Sequence, residues 1–164
     1  ILCYTTHMKT EIERKFLLAN DSWRIEAGAG MVCKQAYLVS TIDRSVRVRI
    51  IGEYAYITIK GTTGSSITRL EYEYEIPMTD AEIIFSTICQ PGKIEKTRYE
   101  IRVGDHTWEI DEFHGDNTGL VVAEIELNSE DEYFIKPDWI GTEVSYDTKY
   151  LNSRLIKEPF KDWN

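Results

Sequence analysis

The chain has 164 residues, with 19 Lys and Arg against 28 Asp and Glu, for a net charge of −9. That length suits one domain with a real core and is short for two. The charge opposes generic attraction to DNA, RNA or an anionic membrane, so no nucleic-acid partner is expected. At 42% apolar and 29% charged residues, the composition is that of a soluble globular protein.

No run approaches the ~20 apolar residues of a membrane helix, and Ile1 to Met8 lacks the charged start of a secretory signal. A cytoplasmic protein with no membrane partner is expected. Cys3, Cys33 and Cys89 are odd in number and widely spaced, which suggests reduced thiols and neither a disulfide framework nor a zinc site. His7-Met8 reads as a junction. Residues 1–7 are therefore expected to be an extension and 8–164 a single domain.

In chain order the elements are mostly strands. Glu11 to Leu18 alternates, and a loop with Gly28 and Gly30 leads to a second strand at Lys34 to Ser40. Ser45 to Ile51 and Tyr54 to Lys60 form a hairpin about Gly52-Glu53. Arg69 to Ile76 alternates without a break, and further strands are expected at Glu95 to Val103, Thr107 to Phe113 and Leu120 to Leu127. Helices are few. Thr79 with Glu82 reads as a capping box for a helix running to Ile88, and Ser129 with Glu132 as a second one before Pro137. Asp147 is placed to cap a last helix carrying Tyr150, Leu151 and Leu155. The fold class is α+β, built on an antiparallel sheet of about eight strands.

Successive strand side chains point to opposite faces, so each strand has a separate polar face. Glu11, Glu13 and Lys15 share one face, as do Arg47 with Arg49, Thr58 with Lys60, and Glu71, Glu73 with Glu75. Lys96, Arg98, Glu100 and Arg102 follow, then Glu109 with Asp111, and Glu124 with Glu126. A sheet with one wet face shows the same alternation. Two details favour another arrangement. Nearly every polar-face position is charged, often with like charges on one strand, and a sheet of about eight strands tends to curl or close. If the charged face is the inside, it forms a tunnel suited to water, metal ions and a polyanion. Acidic oxygen sites suit Mg²⁺ or Mn²⁺, commonly completed by substrate phosphates.

Glu11-Ile12-Glu13-Arg14-Lys15 resembles the E-x-E-x-K signature of the CYTH, or triphosphate tunnel metalloenzyme, superfamily. The resemblance continues in order through R-V-R (Arg47 to Arg49), T-I-K (Thr58 to Lys60), E-Y-E (Glu71 to Glu73), E-K-T-R-Y (Glu95 to Tyr99), I-D-E-F (Ile110 to Phe113), E-I-E (Glu124 to Glu126) and the segment Glu143 to Asn152. It implies an eight-stranded antiparallel β-barrel forming a tunnel, with a few flanking helices. It also implies a metal-dependent triphosphatase like the short prokaryotic inorganic triphosphatases. By position it implies metal ligation by Glu11, Glu13, Asp111, Glu124 and Glu126, and phosphate binding by Lys15, Arg47, Arg49, Lys60, Lys96 and Arg98. Catalytic work falls to Lys60, Glu13 and Lys149, with Glu71 and Glu73 as further tunnel-lining residues.

The implied chemistry is hydrolysis of a phosphoanhydride, in which cations hold the triphosphate in line and Mg²⁺ or Mn²⁺ offsets developing charge. Arginine's fork grips phosphate bidentately and lysine acts as a point charge. A small adenylyl cyclase of class IV type and a thiamine triphosphatase are alternatives within the superfamily, and a noncatalytic polyphosphate-binding module is one outside catalysis. A homodimer is left open. His7, His106 and His114 lack metal-ligand spacing and read as surface or loop residues, and Tyr54, Tyr56, Tyr72 and Tyr74 as packing residues.

Overall fold

Alternation on this scale needs a partner for every strand edge, and the chain supplies one by closing the sheet on itself. In the computed structural model, which describes residues 9–163, the strands are β1 (Thr10–Leu18), β2 (Met31–Ser40), β3 (Arg44–Ile51), β4 (Tyr54–Thr62), β5 (Thr68–Glu75), β6 (Ile94–Val103), β7 (His106–Phe113), β8 (Val121–Leu127) and β9 (Ile140–Glu143). They run in the order β5-β4-β3-β2-β6-β7-β8-β1-β9. β1 pairs with β8 along one edge and, through Thr10 to Ile12, with Leu70 to Thr68 of β5 on the other. Eight antiparallel strands thus close into the expected barrel. The proposed extension, with Cys3 and His7, lies outside the described residues.

The short β9 was not foreseen. It takes over the edge of β1 where β5 leaves it, pairing Glu143 with Phe16 and Ile140 with Leu18. Gly141 permits this, since a Cβ there would stand 3.0 Å from the Leu17 carbonyl oxygen and 3.1 Å from the Ala19 nitrogen. Arg14 clamps the strand from outside, its Nε donating to Glu143 at 2.8 Å.

Three helices of α type lie outside the strands: α1 (Trp23–Glu26), α2 (Met78–Thr87) and α3 (Asn152–Leu155). Two helix readings need correction. Helix α2 begins one residue before Thr79, with Pro77 at its N-cap and no side-chain cap bond, so the capping box is not formed. Residues 129–135 make a turn and an extended run instead of a helix. Glu132 turns back to accept from the Asn128 backbone N–H and from His106, which fastens the turn and leaves Phe134 to enter the core. Asp147 does cap, but a 3₁₀ turn at Thr148–Tyr150, with α3 following.

The outer faces of β1, β6, β7 and β8 are covered by Trp23, Phe134 and Trp139, with Phe16, Trp108, Ile110 and Ile125 beneath them. Helix α2 covers Val48 and Ala55 through Ala81. Beyond Ala55 the outer face of β4 and β5 opens: Ile59 and Tyr74 are exposed there, so Tyr74, like the exposed Tyr54, is no packing residue. His106 and His114 bond Glu132 and Thr97 and take no part in the interior.

Candidate active site

Inside the barrel, residues of one parity from every strand converge. Register sets Glu13 opposite Glu126, Lys15 opposite Glu124, Lys60 opposite Glu71, and Arg98 opposite Asp111. The space between is a cavity of about 300 Å³ whose wall carries Glu11, Glu13 and Lys15, Arg47 and Arg49, Lys60, Arg69, Glu71 and Glu73. Arg98, Glu109, Glu124 and Glu126 complete it. The charged face is therefore the inner one, and the wet-sheet alternative fails.

The lining changes at one end. On β1, β6, β7 and β8 the inward positions beyond the charges are Leu17, Ile94, Phe113 and Val122, which all lie at the same end of the barrel because the strands alternate in direction. They form an apolar plug with Val144, Tyr150 and Leu155. Ser145, just after β9, is drawn to the cavity because its hydroxyl accepts from the Lys15 backbone N–H at 2.9 Å.

One wall is closed on itself. Arg98 donates to both oxygens of Asp111 at 2.7 Å and to Glu124 at 2.9 Å, and it also pairs with Glu109. Lys96 pairs with Asp111, and Lys15 with Glu124. Lys96 and Asp111 are 1% and 0% exposed, so these are fully desolvated charges. Burial raises the Asp111 and Glu124 carboxyls, but the Arg98 and Lys96 cations beside Asp111, and Lys15, Lys96 and Arg98 around Glu124, outweigh it. Both end below the usual carboxylate range, Glu124 well below it. Lys15 moves up, because Glu124 and Glu13 overcome its own burial.

The opposite wall is less settled. Lys60 pairs with Glu11 and lies 2.6 Å from Glu71; Arg49 lies 2.8 Å from Glu73, which also accepts from Thr58. Arg47 is buried yet has no ion pair among the described residues, and the Nε atoms of Arg47 and Arg49 lack any hydrogen-bond partner. Buried N–H donors without acceptors are costly, so this wall is receptive to an anion. Arg69 likewise faces the cavity without an ion pair among the described residues.

Between the walls the acids crowd. Burial, then Glu11, Glu71 and Glu13, push the Glu126 carboxyl up, and burial and Glu71 push Glu11 up despite Lys60. Such all-oxygen crowding fits a hard divalent cation. Among the described residues no three acids, histidines or cysteines converge as a ready metal cage.

Most expected site residues come together here. Asp111 and Lys96 do not line the cavity: they lie behind its wall, each neutralising the other. Lys149 is outside it, with its ammonium 3.6 Å from Asp147 and over the rings of Tyr150 and Trp163. Two charged residues of the wall were given no role from the sequence. Arg69 shares the parity of Glu71 and Glu73, a signal present in the sequence. Glu109 shares that of Asp111, but its importance lies in burial, which pushes its carboxyl up to about 7 against the pull of Arg98.

Comparison with known proteins gives this interior a context. The chain is 48% identical over 156 residues to an inorganic triphosphatase of Acetivibrio thermocellus, covering 95% of this chain and 99% of that one. It is 36% identical over 151 residues to an inorganic triphosphatase of Nitrosomonas europaea, covering 89% and 96%. The crystal structure of an inorganic triphosphatase matches with a TM-score of 0.62 at 35% identity, over 92% of this chain and 96% of that one. At 20% identity a Pyrococcus horikoshii protein shares the fold, with a TM-score of 0.57 over 74% and 80%. The family model for the CYTH domain matches residues 9–157, and the chain belongs to the CYTH family.

Proposed function

We propose that the protein is a divalent-metal-dependent inorganic triphosphatase that hydrolyses tripolyphosphate to pyrophosphate and phosphate. The observation that carries this reading is the asymmetric interior: cations with unmatched donors, Arg47 above all, face a cavity of about 300 Å³ that also holds a crowded set of carboxylates. The two triphosphatase relatives, matched over nearly their whole length, support it.

In this reading Arg47, Arg49, Lys60 and Arg69 bind and orient the phosphate oxygens, while Lys15 and Arg98 add positive charge at the other wall. Glu11, Glu13, Glu124 and Glu126 are the residues to hold Mg²⁺ or Mn²⁺, which when bound neutralises phosphate charge and acidifies water. Asp111 supports that set from behind by fixing Arg98. Glu109, near neutrality in its pKa, is suited to take the proton of the attacking water. Glu13 serves the metal. Lys149 is given no part. Cys33 and Cys89 are free thiols, which suits a cytosolic setting, and residues 8–164 are taken as one domain.

Incubation with tripolyphosphate, ATP or thiamine triphosphate and either metal decides the substrate. Phosphate release from tripolyphosphate, lost on chelation and in Glu13→Gln, is the expected result. Cyclic AMP from ATP, or binding without turnover, would replace the reading.

A further inference from the structure

The strand directions put two different structures at one end of the barrel. The apolar plug seals the half beneath β1, β6, β7 and β8. The other half, where β2 turns into β3 and β4 into β5, opens into a second cavity of about 320 Å³. The two cavities share Ser45, Lys60, Arg69, Leu151 and Ser153, so the second is a vestibule continuous with the first.

Its chemistry is one-sided. Arg44, Lys60, Arg69, Arg154 and Lys157 line it, with Asp43 the sole acid, in a chain whose net charge is −9. Among the described residues Arg44 and Lys157 form no ion pair, and Arg154 reaches only Glu158 at 3.1 Å. The turn carrying Arg44 is held in place, with Thr41 N–H donating to the Arg44 carbonyl and Thr62 N–H to that of Asp43, both at 2.9 Å. The hydroxyl of Thr148 adds a donor, while those of Thr41 and Ser65 already donate to the Arg44 carbonyl and to Glu130. Among the described residues no aromatic ring lines the vestibule, so a nucleobase finds no aromatic platform there. Cations spaced along a channel suit repeating phosphates instead.

We propose that this vestibule is an extension subsite for linear polyphosphate, in which Arg44, Arg154 and Lys157 bind the phosphates beyond those held in the barrel. The proposal rests on the triphosphatase reading for the inner site. It makes long chains bind more tightly than tripolyphosphate through residues that tripolyphosphate does not need.

The test is the double variant Arg44→Ala/Lys157→Ala, assayed on tripolyphosphate with long-chain linear polyphosphate as competitor. Both positions are exposed, so folding is preserved, and melting confirms it. The inhibition constant of the long chain is expected to rise about tenfold, as for loss of two solvent-exposed ion contacts, while KM for tripolyphosphate changes by less than about twofold. An unchanged inhibition constant overturns the subsite. An equal rise in both constants also overturns it, because the cations would then act only through the general field. So does a response confined to a short 5′-triphosphate RNA used as the competitor. If the parent protein turns over no tripolyphosphate, the triphosphatase reading fails separately, and calorimetric titration with the same polyphosphate decides the subsite.

Discussion

The two walls of the barrel carry similar numbers of charges and use them differently. Along β6, β7 and β8, Lys96, Arg98, Asp111 and Glu124 are matched cation to anion, with Lys96 and Asp111 sealed from water and Arg98 and Glu124 at the cavity wall. Along β3, β4 and β5, the Nε donors of Arg47 and Arg49 have no acceptor among the described residues, and Arg69 faces the cavity. Buried ion pairs repay their desolvation only when fully matched. The first wall is thus a rigid backing and the second a surface completed by ligand. The comparison breaks most visibly at Asp111. Asp111→Ala leaves Lys96 and the Nε of Arg98 buried without their anion, and the expected cost is about 3–5 kcal/mol of stability, read from denaturant unfolding. A loss below about 1 kcal/mol would show that the first wall is not self-contained.

Arg47→Ala should do the reverse. It removes a buried cation that has no direct ion pair among the described residues, although Glu71, Glu11 and Glu73 nearby favour its charge over the cost of burial, so stability is expected to stay within about 1 kcal/mol of the parent. A phosphate contact made through a charged donor is worth roughly 1.5–3 kcal/mol, so KM for tripolyphosphate is expected to rise on the order of ten- to a hundredfold. Steady-state kinetics beside a melting curve separates the two effects. A variant that unfolds but binds normally when folded would move Arg47 to the structural wall.

Much of this division was legible in the sequence, because strand parity assigns a face without any knowledge of contacts. Glu11, Glu13, Lys15, Arg47, Arg49, Lys60, Glu124 and Glu126 share the interior for that reason alone. Parity does not reveal depth along the strand. Asp111 and Lys96 have the right parity, yet stand one step nearer the apolar plug, where Phe113 and Ile94 follow them, and they meet each other before any ligand. Glu109 stands one step the other way and reaches the cavity. Lys149 lies beyond β9, on a segment whose path is set by Gly141 seating that strand against β1 and by Tyr150 entering the plug, neither of which has a periodic signature. The false helix at 129–135 failed for a similar reason: Glu132 satisfied the Asn128 N–H in a turn, as a capping acid can without a helix following.

The smallest effect sharpens the comparison through pH, in chelated protein. Asp111 and Glu124 have carboxyls depressed below their unfolded values, so their stabilisation is full above the ordinary carboxylate range and is lost as pH falls from there through their lower folded values. Glu126 is raised by burial and by Glu11, Glu71 and Glu13, so it binds its proton more readily when folded. Its penalty is absent below the ordinary value of 4.5 and grows as pH rises. Glu126→Gln is therefore expected to stabilise the protein near neutrality, and the gain should fade as pH falls toward that value. Glu126 is partly open to solvent, so screening limits the gain to under about 2 °C in Tm. The destabilisation caused by Glu124→Gln, in contrast, should shrink on acidification from the opposite sign. Melting temperatures of the two variants across that range test both slopes. If the two difference curves ran in the same direction, the crowded acids and the matched acids would share one environment, and the distinction between the walls would fail.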